Sequence, residues 1–364
     1  MVRRLDRGRF APQVACLAGE GCYTDLYRAL GLPVHHLRIC AGRPWRLLRL
    51  VSLLRRERIR VIQTFLFHAN IAGRLAAALA GTPVVVGGVR TAEPRHWHTL
   101  LDGLTFGLTS GEVCVSEYVR DYQAHRAGLR PGALAVIPNG VDPADYATPA
   151  APFGLGDEAA LRAREDARRR LGLPHGTPVI AFVGRFCEAK ALPDLLAAFR
   201  LVASRRPEVV LAMAGDGPLA GEVRAMVQRA GLERRVVLTG WLQDPRVLYA
   251  AADLFVISSV VEGMPGVVLE AMASGLPVVS TDAPGCRELV EHPATGLIVP
   301  RRAPGALADA LLLMLGEPEK AAQCGGAGRR RAFSHFHIQR TARLYEALYE
   351  QALERAEAAC LRRR

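Results

Sequence analysis

Short runs of apolar, mostly β-branched residues alternate with longer stretches of helical periodicity along almost the whole chain. In the first half the runs fall at 13–17, 61–65, 83–86, 113–116 and 135–137, with helical patterns such as 44–57 and 71–80 between them. In the second half they fall at 179–184, 209–214, 236–239, 254–258, 277–280 and 297–299. Strands that are apolar on both faces and separated by helices belong to parallel sheets covered on two sides. The pattern therefore predicts an α/β protein with two doubly wound, Rossmann-like domains.

A stretch of different character separates the two series. Ile137-Pro-Asn-Gly-Val-Asp142 is a turn signal, 143–156 is rich in Pro and Ala, and 158–171 reads as a charged helix closed by Gly172 and Pro174. The expected domains are 1–145, a linker with its helix at 146–176, a second domain at 177–335, and a final helix at 336–364 packing across the domains. A doubly wound domain opens on a strand whose following turn faces the ligand. Here the residues before 13–17 read as the end of a helix, so the opening strand and its glycine-rich turn are expected to be missing.

With 364 residues, two domains are the natural expectation. The 47 basic against 35 acidic residues give a net charge of +12. Nearly all the cations are arginines, Lys190 and Lys320 being the only lysines, which makes a lysine inside a motif informative. No basic stretch is interleaved with aromatics, so nucleic acid is not an expected partner. The eight cysteines form no C-x-x-C pair and read as reduced thiols. No secretory leader and no membrane-length apolar run is seen, which predicts a cytoplasmic protein.

The most specific chemistry lies in Glu262-Gly-Met-Pro-Gly-Val-Val-Leu-Glu270, directly after the strand at 254–258. Gly263, Met264, Pro265, Gly266 and Val267 predict a tight turn into a helix that ends before Gly275. The free N–H groups at such a helix start suit an anion, and Glu262 and Glu270 would border the same ligand. A second group is Gly184-Arg185-Phe-Cys-Glu-Ala-Lys190, after the strand at 179–184. A guanidinium and an ammonium at the C-terminal edge of a parallel sheet suit a diphosphate.

Gly184-Arg185…Lys190, Ala214-Gly-Asp-Gly-Pro218, Gly240-Trp-Leu242 and the Glu262–Glu270 segment, in this order, resemble the retaining glycosyltransferases of family 4, the "group 1" enzymes of GT-B fold. In the first half, Phe67-His68-Ala-Asn70, 113–116 and 137–142 are similar to that family with less specific motifs. The resemblance implies two domains facing each other across a cleft, and a UDP- or GDP-sugar donor with no other cofactor. It implies a glycan or lipid-linked acceptor, as in cell-envelope or exopolysaccharide synthesis. Arg185 and Lys190 match the pair that grips the donor diphosphate, Glu270 the acid on the ribose hydroxyls, and Glu262 the acid near the donor sugar. Gly184 and the turn Gly263–Val267 line the donor, and Leu242 lies where the base is contacted. No metal is implied, and no Asp-x-Asp motif occurs.

Three positions depart from the family pattern. The opening glycine loop is missing, which raises the alternative of a non-catalytic nucleotide-sugar-binding relative. The loop after 83–86 reads Gly87-Gly-Val-Arg90 instead of carrying a histidine, so Arg90 is the acceptor-side candidate there, with His68 nearby. Ala191 stands where a glycine usually follows the motif lysine. Finally, the arginine-rich stretch 44–58 reads either as a helix resting on an anionic membrane, at the inner face of the cytoplasmic membrane, or as a helix with one face on its own sheet.

Overall fold

The computed structural model describes residues 1–21, 23–39, 42–92 and 95–362. Of the cysteines, Cys22 and Cys40 lie outside the described residues; Cys16, Cys114, Cys187, Cys286, Cys324 and Cys360 are free thiols. The chain divides into two units, Met1–Pro138 with Ile338–Arg364, and Asn139–His337.

The first unit begins with a short parallel pair, β1 (Val14–Cys16) and β2 (Val34–His36). Its main sheet has four parallel strands: β3 (Val61–Gln63), β4 (Val84–Val89), β5 (Gly111–Cys114) and β6 (Leu134–Val136), in that spatial order. Val84, Val86, Val113 and Ile137 form one face of the core. Tyr345, Tyr349 and Ala352 of the final helix, Ile338–Leu361, cover them. That helix therefore belongs to the first unit. On another side, Leu50, Val51, Leu53 and Leu54 of the helix Leu47–Arg56 are buried with Leu37 and Ala76. The apolar face of the arginine-rich stretch is thus spent inside the unit, as the second reading of 44–58 has it.

The second unit carries six parallel strands: β7 (Val179–Val183), β8 (Val210–Ala214), β9 (Val236–Gly240), β10 (Leu254–Ile257), β11 (Val278–Thr281) and β12 (Gly296–Val299). Their spatial order is β12-β11-β10-β7-β8-β9. From β7 the chain builds outward through β8 and β9, then returns to the other side of β7 with β10. Phe182, Leu211, Met213 and Val256 are buried against Leu195 and Phe199 of the helix Leu192–Arg205.

The stretch 146–176, expected as a linker, lies wholly inside the second unit. Its helix, Glu158–Leu171, is capped by the Asp157 side chain and ends at Gly172 in the left-handed region. The reason for its inclusion is a buried ion cluster. Asp253, fully buried, pairs with Arg164 at 2.7 Å and Arg168 at 3.0 Å, and accepts the Val179 N–H at 2.7 Å. The helix is thereby tied to the starts of β7 and β10.

Candidate active site

The order of strands in the second unit reverses between β7 and β10, and in open parallel sheets ligands bind at such a reversal, outside the strand C-termini. The loops leaving those two strands carry both motif groups. Val260 N–H donates to Ala189 O at 2.9 Å and Ser258 Oγ to Lys190 O at 2.7 Å, so the loops are stitched together. Across them, Lys190 Nζ meets Glu262 Oε1 at 2.5 Å, with the two side chains only 14% and 13% exposed. Ser259 Oγ donates to the same oxygen at 2.6 Å. Thr281, at the end of β11, holds Ser259 O at 2.6 Å.

From Glu262 the chain turns through Gly263 and Met264 into the helix Gly266–Ser274, with Pro265 at its N-cap. No side chain caps this helix and no acid occupies its first turn, so the amides at its start keep their affinity for a negative group. Gly275 ends it at φ +85°. The turn is held from two sides. Asn139 Nδ2 donates to Met264 O at 3.0 Å. Gly285, in the helix Pro284–Leu289, packs so closely that a Cβ there would lie 2.3 Å from Gly263 O. Only glycine fits that contact.

Glu270 projects from the second turn of the same helix and is half-buried. Tyr249 Oη, on a fully buried ring, donates to its Oε2 at 2.9 Å. Burial raises the Glu270 pKa above the ordinary carboxylate range; Tyr249 works against that rise, while the charge of Asp244 adds to it. Leu242, half-buried, lies in the loop between β9 and Asp244.

Gly215 and Gly217, both at extended positive φ, bring the loop after β8 onto the loop after β7. A Cβ on Gly215 would lie 1.9 Å from Gly184 O, and one on Gly217 2.5 Å from Phe186 O. Phe186 N–H in turn donates to Asp216 O at 2.9 Å. This glycine turn fixes the course of Gly184-Arg185-Phe186. Ala191, where the resemblance leads one to expect glycine, sits at φ +45°, a left-handed conformation that costs an L-residue about 1 kcal/mol.

Lys190, Glu262, the turn Gly263–Val267 and Glu270 are thus gathered along one sheet edge. Arg185 leaves the same loop but is exposed, and among the described residues it makes no hydrogen bond or ion pair. His68 and Arg90 belong to the first unit. His68 is exposed in the first turn of the helix Phe67–Ala80, edge-on to Phe67 and His98. Arg90 follows β4 with its guanidinium 5.7 Å from the Phe65 ring centre, and it interacts with Tyr345. Ser259, Tyr249, Gly285 and Asn139 escaped sequence reasoning. Their partners are set by folding, although the Pro284-Gly285 pair hints at a close approach. Among the described residues no three His, Cys, Asp or Glu side chains gather as metal ligands.

Comparison with known proteins gives the family. Residues 163–331 match the family "Glycosyl transferases group 1" and residues 1–145 match "Glycosyltransferase Family 4". An alpha-maltose-1-phosphate synthase of Mycolicibacterium smegmatis is 30% identical over 305 residues, 77% of this chain and 76% of that protein. An Escherichia coli UDP-Gal:alpha-D-GlcNAc-diphosphoundecaprenol alpha-1,3-galactosyltransferase is 27% identical over 264 residues, 70% of this chain and 65% of that enzyme. The crystal structure of Anabaena HepE in complex with UDP and glucose has the same fold. It has a TM-score of 0.80 and 21% identity, covering 93% of this chain and 91% of that one. Both halves matched in order, and a relative aligned over three quarters of its length, show that the chain belongs to the nucleotide-sugar-dependent glycosyltransferases of the GT-B superfamily.

Proposed function

We propose that the chain is a family 4 glycosyltransferase that moves a sugar, with retention, from a nucleotide-diphosphate sugar to a glycan or lipid-linked acceptor. The observation that carries this is the meeting of Lys190, Glu262 and an uncapped helix start at the sheet's point of reversal. Transfer leaves negative charge on a diphosphate. The Lys190 ammonium, the Arg185 guanidinium and the amides of Gly266 and Val267 are fixed positive groups for that charge. Glu262, already holding Lys190, keeps the ammonium in place and presents its second oxygen to the sugar. Glu270, with Oε2 tied to Tyr249, offers Oε1 to ribose hydroxyls. Gly184 and Gly263–Pro265 shape the backbone around the donor, and Leu242 meets the base.

On the acceptor side the candidates are His68, in the first turn of the helix that follows β3, and Arg90, directly after the adjacent strand β4. The retaining reaction assigned to this family needs no protein nucleophile. The buried thiol nearest the donor turn, Cys286, is no rival for that role, since burial pushes it up to about 12. The enzyme works in the cytoplasm beside the membrane's inner face, in envelope or exopolysaccharide synthesis. The E. coli relative, named for an undecaprenol-linked acceptor, supports that setting. The test is calorimetric titration with a panel of UDP- and GDP-sugars, followed by NMR of the product anomer. One donor should bind and yield a product of unchanged anomeric configuration. No binding across the panel would favour a non-catalytic relative, and an inverted product would reject family 4 chemistry.

A further inference from the structure

Large apolar side chains left in solvent are scattered singly over the second unit, as with Trp241, Leu201 and Leu313. In the first unit they gather on neighbouring helices. Helices Leu47–Arg56, Phe67–Ala80 and His96–Thr105 pack side by side in that order. Each has a face already satisfied: Leu50 and Leu54 on the first, Arg74, Ala76 and Ala77 on the second, His98, Thr99 and Asp102 on the third. Their other faces carry Leu48 (63% exposed), Leu79 (55%), Trp97 (54%), Leu100 (63%) and Leu104 (72%), with Leu75 and Leu101 beside them. A monomer in water rarely leaves such a group uncovered.

The charge around these side chains identifies what covers them. From residue 42 to 92 there are nine arginines, of which Arg74 is buried and Arg60 pairs with Glu357, against one acid, Glu57, itself paired with Arg56. The helix Phe67–Ala80 carries no acid, and the only one in His96–Thr105 is the buried Asp102. Arg49, Arg55 and Arg56 are exposed on the first helix. Arg55 reaches the end of the second, donating to Leu79 O at 2.5 Å, so cations border the leucines directly. Exposed Leu and Trp bordered by arginines, with no unpaired exposed carboxylate on these three helices among the described residues, complement an anionic lipid surface: the side chains enter the interface and the guanidinium groups meet headgroups.

We propose that these three outward helix faces form the surface by which the protein docks on an anionic bilayer. This rests on the membrane-side reading above and extends the surface that the sequence suggested to two further helices. Most apolar residues of the helix Leu47–Arg56 are buried while Leu48 is exposed, and the docking leucines come mainly from its two neighbours.

The experiment is co-sedimentation of the full chain with vesicles of phosphatidylglycerol and phosphatidylcholine, against phosphatidylcholine alone, at low and high salt. The wild type should partition onto the anionic vesicles, with a loss of more than about tenfold on neutral ones or at high salt. Leu100→Glu with Leu104→Glu should lose a similar factor, and so should Arg55→Glu with Arg56→Glu on the other helix. Binding of UDP or GDP and Tm, measured on the same variants, should match wild type, because all four side chains are exposed and the donor loops belong to the other unit. Absence of vesicle binding, or binding unchanged in either double variant, would overturn the proposal. So would a dimer in light scattering that the leucine variant dissolves, since a second copy would then cover the face. Vesicle binding is read without any donor, so its failure is distinguishable from failure of the donor site.

Discussion

The two units build parallel sheets from similar strands, yet only one sheet turns back on itself. In the first unit β3, β4, β5 and β6 lie side by side in chain order; in the second, β10 returns to the far side of β7. That return separates the loops after β7 and β10 from the helices that would otherwise fill the space, and Lys190 and Glu262 meet there. Chemistry follows from strand order as much as from residue type. Arg90 also ends a strand, but an aromatic ring and a tyrosine of its own unit engage it.

The buried charges of the two units are mirror images. In the second, one acid, Asp253, is shared by two arginines. In the first, one arginine, Arg74, is shared by two acids, Asp102 at 2.6 Å and Glu112 at 2.9 Å, all three out of solvent. The Glu112 Oε2 atom has no hydrogen-bond partner among the described residues. Burial, helped by the Asp102 charge, pushes this carboxyl up to about 7.

The contrast makes opposite predictions for two isosteric changes. Asp253→Asn leaves two buried arginines without a countercharge and should cost about 3–5 kcal/mol in denaturant unfolding. An effect under about 1 kcal/mol would mean that the cluster is hydrated and that the helix Glu158–Leu171 is held by other contacts. Glu112→Gln should do the reverse above neutral pH. Its raised folded-state pKa contributes stability that is complete below about 4.5 and is lost as pH rises through about 7. The wild-type Tm should therefore fall across that window, while the variant, which imitates the protonated acid, should stay flat and exceed wild type by a few degrees at pH 8. A parallel fall in both proteins would remove Glu112 as the cause.

A smaller effect sharpens the account of the donor side. Tyr249→Phe removes one hydrogen bond to Glu270 and should weaken nucleotide binding about fivefold, as expected for roughly 1 kcal/mol. Tyr249 also holds the Glu270 pKa down against burial, so its loss should move the acid limb of the binding–pH profile to higher pH. Weaker binding with an unmoved limb would make Tyr249 a packing residue only.

Much of the second unit was legible because its motif residues act through local backbone. The Gly/Pro-rich turn at Gly263–Gly266, the helix closed by Gly275 and the rare Lys190 all announce themselves within a few residues. The partners of those groups were not legible: Ser259 on Glu262 and Tyr249 on Glu270 are ordinary residues until the sheet brings them close. The stretch 158–171 read only as a charged helix, and nothing local marks Asp253, far along the chain, as the partner of Arg164 and Arg168. In the first unit β2 is three residues long and follows a proline, too short for its pattern to stand out. The exposed leucines of Phe67–Ala80 and His96–Thr105 look like core in sequence, because periodicity cannot say which of two apolar faces is covered.

The most direct measurement is calorimetric titration of UDP and of GDP into the wild type, and of whichever binds into Lys190→Ala and Glu270→Ala, with Arg90→Ala as the control from the other unit. The account predicts measurable binding in wild type and control, and a loss of more than about tenfold in each of the other two. Unchanged affinity in Lys190→Ala and Glu270→Ala would contradict it, because the nucleotide would then be held somewhere other than the junction of β7 and β10.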